Sequence, residues 1–413
     1  MPTGMTRITI ENYRTLAKVA IDTRALNVIF GPNGAGKSSL LDTIGFLHDC
    51  AIRGVEEASS DRNHGIGMLW DGADHAAKIS ITIATEHVSY RIMLGFSSGR
   101  IEPLVGEHLQ SLTTNQTLIR RSSGSDKADF YRAGASEPVT VTLREPVKLA
   151  LARYLDFDEH SREASALDRL LRFIHCYHAR TADLSRLRTH GSDSDRHPWL
   201  WERGQNLWSA LRNLRDQSSL DDRYTTILGY MRQAFPAFRD LLIEQTGPAT
   251  VYGSFIERGR RSPLRASGVS DGHLQMLIHL TALFGEGRDR PSLISLDEPE
   301  TSLHPHAIAV LARAVEAATQ QWQKQIFIAT HSPVLISQFP ADAILVAEVD
   351  PNGQTVLRRL SEIADVQDLL DDYAAGSLYM AQLLAAQAPP KEPHARTQIA
   401  AVPCPPMFEP PAI

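Results

Sequence analysis

Val28-Ile29-Phe30-Gly31-Pro32-Asn33-Gly34-Ala35-Gly36-Lys37-Ser38-Ser39 is the stretch that decides how the chain is read. The apolar run from Leu26 to Phe30 has the makeup of a strand buried on both faces. A loop with three glycines follows it, and Leu40, Leu41, Ile44 and Leu47 then repeat at helical spacing. Gly31 to Ser38 fits G-x-x-x-x-G-K-[ST], in which successive backbone N–H groups cradle phosphates and a lysine reaches the β- and γ-phosphates. Gly31, Pro32, Asn33, Gly34, Ala35, Gly36, Lys37, Ser38 and Ser39 are therefore candidates for binding ATP, and the Ser38 hydroxyl is a candidate ligand of Mg²⁺. The bland alternative is an ordinary glycine-rich turn, and the motifs downstream weigh against it.

The composition sets outer limits. A chain of 413 residues can bury a large core, as one big domain with insertions or as two lobes. With a net charge of −6 the protein is no polycation, so any contact with nucleic acid has to come from a local patch. Cys50, Cys176 and Cys404 are too scattered for a disulfide framework or a C-x-x-C metal pair, which fits a reduced cytoplasm. Met1 to Met5 lack the apolar core of a signal peptide, and no run approaches the length of a membrane span. A cytoplasmic protein without a membrane partner is expected.

From the loop outward, Arg7 to Tyr13 alternates like a strand and leads through a second hairpin arm into Leu26. Arg53 to Asp74 shows no period and reads as loop with short helical pieces. Lys78 to Ala84 and Val88 to Phe96 form a hairpin pattern that continues from Ile101 as a small antiparallel sheet. Leu167, Leu170, Leu171 and Ile174 recur at helical spacing, so a helical insertion is expected from about Arg144, carrying Trp199, Trp201 and Trp208. No heptad persists, which argues against a long coiled-coil arm. After Thr250 to Ile256 the pattern alternates strand and helix, as in parallel α/β topology. The expected division is 1–143 for an N-terminal lobe with the phosphate loop and a β subdomain, 144–245 for the helical insertion, 246–386 for a C-terminal lobe, and 387–413 for a proline-rich disordered tail.

Two further strand ends carry chemistry. Ser292 to Glu298 is an apolar strand closing on two acids, at the sheet edge where ligands of parallel sheets bind. Asp297 is the candidate metal ligand and Glu298 the candidate catalytic group that polarises the attacking water. Taken alone, the pair reads equally as an acidic turn. Phe327 to Ser332 repeats the layout and places His331 at its tip, a candidate sensor of the γ-phosphate, although a lone histidine is more often structural.

Together these motifs resemble the ABC-type ATPase domain, with His331 in the place of its switch histidine. The resemblance implies a signature sequence opening a helix shortly before the acidic strand, and Ser267-Gly268-Val269-Ser270-Asp271-Gly272-His273 supplies it. In that family the element meets the γ-phosphate bound by a second subunit. Ser270, Asp271 and Gly272 are thus candidates for nucleotide contact across a head-to-tail homodimer sandwiching ATP. Leu296-Asp297-Glu298-Pro299-Glu300-Thr301-Ser302-Leu303-His304-Pro305 and Thr330-His331-Ser332-Pro333 look like the RecF, SMC and OLD group rather than transporters. Tyr177 and Gly204 to Leu207 loosely resemble bacterial stand-alone members. The fold class so implied is α/β, a P-loop NTPase head of the ABC type with an antiparallel β subdomain and a helical insertion. Asn12-Tyr13-Arg14 matches a position where the group often places an arginine near the nucleotide, which makes Arg14 a candidate.

The chain departs from the pattern in two places. No glutamine lies between Lys37 and Glu107, so the usual Q-loop residue, a second metal contact, is unassigned. OLD proteins continue into a Toprim nuclease, whereas Asp371 and Asp372 read as a solvated face, and no built-in nuclease is expected. His175-Cys176-Tyr177-His178 lacks a second ligand pair for zinc and is expected on a helix in a packing role. Arg258, Arg260, Arg261 and Arg265, with Arg203, Arg212 and Arg215, form either a solvated basic face or a patch for DNA or a protein partner. The expected function is an ATP-hydrolysing, Mg²⁺-dependent dimeric switch in DNA repair or anti-phage defence, acting through a separately encoded nuclease. The alternatives are a low-turnover regulatory scaffold and the motor subunit of a transporter.

Overall fold

The computed structural model describes residues 4–62, 66–74, 77–96, 103–197, 199–363 and 375–380. Its centre is a six-stranded sheet ordered Ile174–His178, Ser292–Asp297, Lys324–Thr330, Leu26–Phe30, Ile344–Val349 and Thr355–Arg359. Neighbours are parallel except for the last strand, which is antiparallel. The parallel strands are nearly continuous apolar runs because both of their faces are covered, and alternate residues enter different cores. Val28, Phe30, Ile294, Leu296, Ile326 and Ile328 join one core with the helices of residues 207–234, 271–284 and 305–321. Ile29, Leu293, Phe327 and Ala329 join the other, with the helix that follows the phosphate loop, Lys37–Ile52, and the N-terminal sheet.

That second sheet is fully antiparallel and has eight strands, from the hairpin Arg7–Tyr13 and Leu16–Asp22 through to Val139–Thr142. It is larger than the small sheet the sequence suggests. Polar residues obscure the extra strands: in Leu104–Ser111, Glu107 is buried and accepts hydrogen bonds from Tyr90 (2.6 Å), Arg121 (3.0 Å) and the Ala150 amide (2.7 Å).

Residues 144–245 are not uniformly helical. Helices Ala150–Phe157 and Arg162–Arg172 are followed by Ile174–His178, which is an edge strand of the central sheet. His175-Cys176-Tyr177-His178 is therefore strand, and the expectation of a helix there is corrected. Only Ile174 and Tyr177 of that strand are buried, three apart, which mimics a helical stripe. Phe238–Gly247 pairs with Thr250–Glu257 in a smaller sheet, where Gly253 lies under the Trp208 ring. A Cβ at Gly253 would fall 2.1 Å from that ring. The longest helix among the described residues is Pro305–Gln321, at 17 residues, and no described helix is long and apolar enough to cross a membrane. Asp371, Asp372 and the segment 387–413 lie outside the described residues.

Candidate nucleotide site

Parallel pairing sets His178, Asp297, Ala329 and Ile29 in register at the C-terminal edge of the sheet, with Thr330 and Phe30 paired one residue further on. Each strand therefore delivers its next residues to the same place. From the first strand the chain enters the loop, where Gly34 and Gly36 take left-handed φ values of 81° and 88° that an L side chain rarely adopts. A Cβ at Gly36 would also lie 2.3 Å from Thr355 Oγ1, so the loop is pressed against the far strand, whereas the crest at Gly34 faces open space.

Lys37 opens the helix that follows and is almost fully buried. Its ammonium donates to the Gly31 and Pro32 carbonyls at 2.8 and 2.9 Å. Burial lowers its pKa, against the opposing pull of Asp297, Glu298 and Glu300. Ser38 Oγ donates to Asp297 Oδ2 at 3.2 Å, joining the loop to the acidic strand. His178 Nδ1 lies 3.2 Å from the same oxygen, and this hydrogen bond raises the imidazole pKa against the effect of burial.

Glu298 follows with a left-handed φ of 51°, unusual for a residue with a side chain. Its Oε1 is 3.2 Å from His331 Nδ1, and its Oε2 accepts from Arg180 Nε at 2.5 Å. Behind them Thr330 Oγ1 donates to Glu300 Oε1 at 2.5 Å. Burial raises the Glu300 pKa, and its second carboxyl oxygen has no hydrogen-bond partner among the described residues.

The structure thus gathers Lys37, Ser38, Asp297, Glu298 and His331. Other candidates sit differently. The Arg14 guanidinium is 2.9 Å from Asp42 Oδ2, within a cluster that includes Tyr13 and Arg62, and so is committed to the first turns of the loop helix. Ser39 Oγ accepts from Thr15 Oγ1 at 3.0 Å. Ser270 occupies the N-cap position of the helix Asp271–Phe284 without a side-chain capping bond and is exposed, its hydroxyl 2.9 Å from His273 Nδ1. Asp271 pairs with Arg188 at 2.7 Å. Gly272 is buried, and a Cβ there would come 2.5 Å from the Ser302 carbonyl oxygen, so its smallness lets the signature helix approach the acidic turn.

His178 and Arg180 are the site residues that sequence reasoning missed. The signal available was a short run beginning Ile174 and ending in a histidine and an arginine, the same apolar-then-polar layout as the two strands beside it. They stand at the edge next to the acidic strand, while the Q-loop glutamine stays unassigned.

The donors fit the groups such a loop takes. Ser38 and Asp297 offer hard oxygen ligands of the kind Mg²⁺ prefers. Lys37, resting on carbonyls at the base of an open loop, offers a cation to a phosphate. A glycine loop between a buried parallel strand and a helix, with an acidic strand and a histidine strand beside it, defines a P-loop ATPase head of the ABC type, in the RecF, SMC and OLD group.

The chain belongs to the family described as "AAA domain, putative AbiEii toxin, Type IV TA system", whose model matches residues 26–337. It is 25% identical over 358 residues to endonuclease GajA of Bacillus cereus (strain VD045), covering 80% of this chain and 55% of that protein. It is 21% identical over 369 residues to the OLD nuclease of Thermus scotoductus, covering 86% of this chain and 64% of that one. The chain therefore spans less than two thirds of either relative. Among solved structures, an Smc head domain with an extended coiled coil, bound to the C-terminal domain of ScpA derived from Pyrococcus furiosus, aligns over 90% of this chain and all of its own, at 11% identity and a TM-score of 0.49.

Proposed function

We propose that the protein binds and hydrolyses ATP as a dimeric, Mg²⁺-dependent switch. The observation that carries this reading is the meeting of Lys37, Ser38, Asp297, Glu298 and His331 at one sheet edge, although they lie up to 294 residues apart in sequence. Lys37 and the loop amides from Gly31 to Ser39 would hold the phosphates. Ser38 and Asp297 would hold Mg²⁺, which neutralises phosphate charge when bound. Glu298 would orient and deprotonate the attacking water, and His331 would donate to the γ-phosphate. Exposed Ser267, Gly268, Ser270 and Asp271 form the face offered to a second copy's nucleotide.

Purified protein is expected to turn over ATP, and Glu298→Gln should slow turnover by about 10²–10⁴-fold, as for loss of a general base. A wild type with no ATP-dependent phosphate release would remove the enzyme reading. Sizing Glu298→Gln with and without ATP tests the dimer, and a monomer in both states would sink it.

A low-turnover regulatory role is the second reading. It is favoured by Arg180 and His331 engaging both oxygens of Glu298, so that a water has to compete with a cation or a histidine at either oxygen. As output we assign anti-phage defence or DNA repair through a separately encoded nuclease. Its support is the RecF/OLD resemblance and the nuclease names of the two relatives.

A further inference from the structure

We infer that Arg180 is a γ-phosphate-contacting residue, held on Glu298 until ATP draws it away; this rests on the ATPase reading above. Arg180 sits on the short turn Ala179–Thr181 that ends the edge strand Ile174–His178. Its side chain is 72% exposed, while Glu298 is 17% exposed, so the guanidinium reaches in from solvent and covers the carboxylate from outside. An ion pair with one partner so wet is weak and readily exchanged.

The direction of exchange follows from charge and geometry. Asp297, next to Glu298, is tied to Ser38 beside Lys37, so a γ-phosphate on the loop arrives close to Glu298. It brings up to two negative charges and three acceptor oxygens, against one charge and two oxygens on the carboxylate. A guanidinium fork matches that target. ADP brings no such group. ATP, and not ADP, therefore pulls Arg180 across and leaves Glu298 Oε2 to face a water.

The turn itself stays in place. Ala179 O accepts from the buried Gln275 Nε2 at 2.7 Å, which fastens the turn to the signature helix, and Gly272 packs that helix on Ser302. The side chain swings on a fixed base. The signature helix, where a second copy would dock, and the arginine covering the water-activating group thus share one buried hydrogen bond.

The test is a binding cycle with fluorescent ATP and ADP analogues on wild type, Arg180→Ala, Glu298→Gln and the double variant. Arg180→Ala should weaken ATP binding about tenfold, as expected for one charge-assisted hydrogen bond, and leave ADP binding unchanged. Glu298→Gln, which frees the arginine, should tighten ATP and not ADP, and the gain should vanish in the double variant. Arg180→Lys should recover part of the ATP preference. An unchanged ATP-to-ADP affinity ratio in Arg180→Ala, or a Glu298→Gln gain that survives the loss of Arg180, overturns the inference. A wild type that binds neither nucleotide overturns the ATPase reading instead.

Discussion

Glu298, at the C-terminal edge of the parallel sheet, and Glu286, at its N-terminal edge, each sit between a basic side chain and a histidine. Glu298 has Arg180 at 2.5 Å and His331 at 3.2 Å, and Glu286 has Lys324 at 3.1 Å and His175 at 2.9 Å. The chemistry is nearly the same, but access to water differs. Arg180 and His331 are 72% and 45% exposed, whereas the Lys324 side chain is 0% exposed and Glu286 5%. A buried cation has no solvent to exchange into, so the lower triplet is a fixed brace. The upper one can trade partners, which is what a site that must admit a phosphate and a water requires.

The sharpest way to break this comparison is to remove one member of the buried triplet. Lys324→Ala leaves the Glu286 charge without its cation in a dry interior and should cost about 3–5 kcal/mol in urea unfolding. Lys324→Met combined with Glu286→Leu, which removes both charges at similar volume, should recover most of that loss.

Acid offers the next test. Burial alone would raise the Glu286 pKa, but the His175 hydrogen bond and the His175 and Lys324 charges pull it down to about 2, against an ordinary 4.5. Its folded pKa therefore lies below its unfolded one. The stability it contributes is present above pH 4.5 and lost as the pH falls from there towards 2, by about 3 kcal/mol. Glu286→Gln should lack that part of the acid slope, and an identical slope in wild type and variant would show that the brace carries no such linkage.

A smaller effect is expected where the signature helix meets the acidic turn. Gly272→Ala puts a methyl 2.5 Å from the Ser302 carbonyl oxygen, and thermal unfolding should report a loss of about 1–3 kcal/mol as the signature helix is pushed off the acidic turn. The smallest change in stability should come from Arg180→Ala, below about 1 kcal/mol. If it proves as damaging as Lys324→Ala, exposure is not what separates the two triplets.

What could be read in the sequence followed how local the signal was. The phosphate loop, the acidic strand and the histidine strand each announce themselves within a dozen residues, because an apolar run, its glycines or acids and the helix after it are contiguous. The edge strand Ile174–His178 does not. It follows the helix Arg162–Arg172, whose buried Leu167, Leu170 and Leu171 extend by spacing to Ile174, so the helical period overruns a real boundary. Its site residues, His178 and Arg180, acquire meaning only from Asp297 and Glu298, more than a hundred residues away. The full extent of the eight-stranded sheet is hidden for another physical reason: Glu107 and Arg121 are charged residues inside it, paired with each other at 3.0 Å, and no period-two pattern anticipates a buried ion pair.

The order of strands in the central sheet also sets a timetable for synthesis. Leu26–Phe30 leaves the ribosome some three hundred residues ahead of its two neighbours, Lys324–Thr330 and Ile344–Val349. The antiparallel sheet, built within residues 7–142, can close first. Such long-range parallel pairing is slow to form. The phosphate loop is thus made long before the strands that support it, and a nascent chain gains its nucleotide site only when nearly all of the head has emerged.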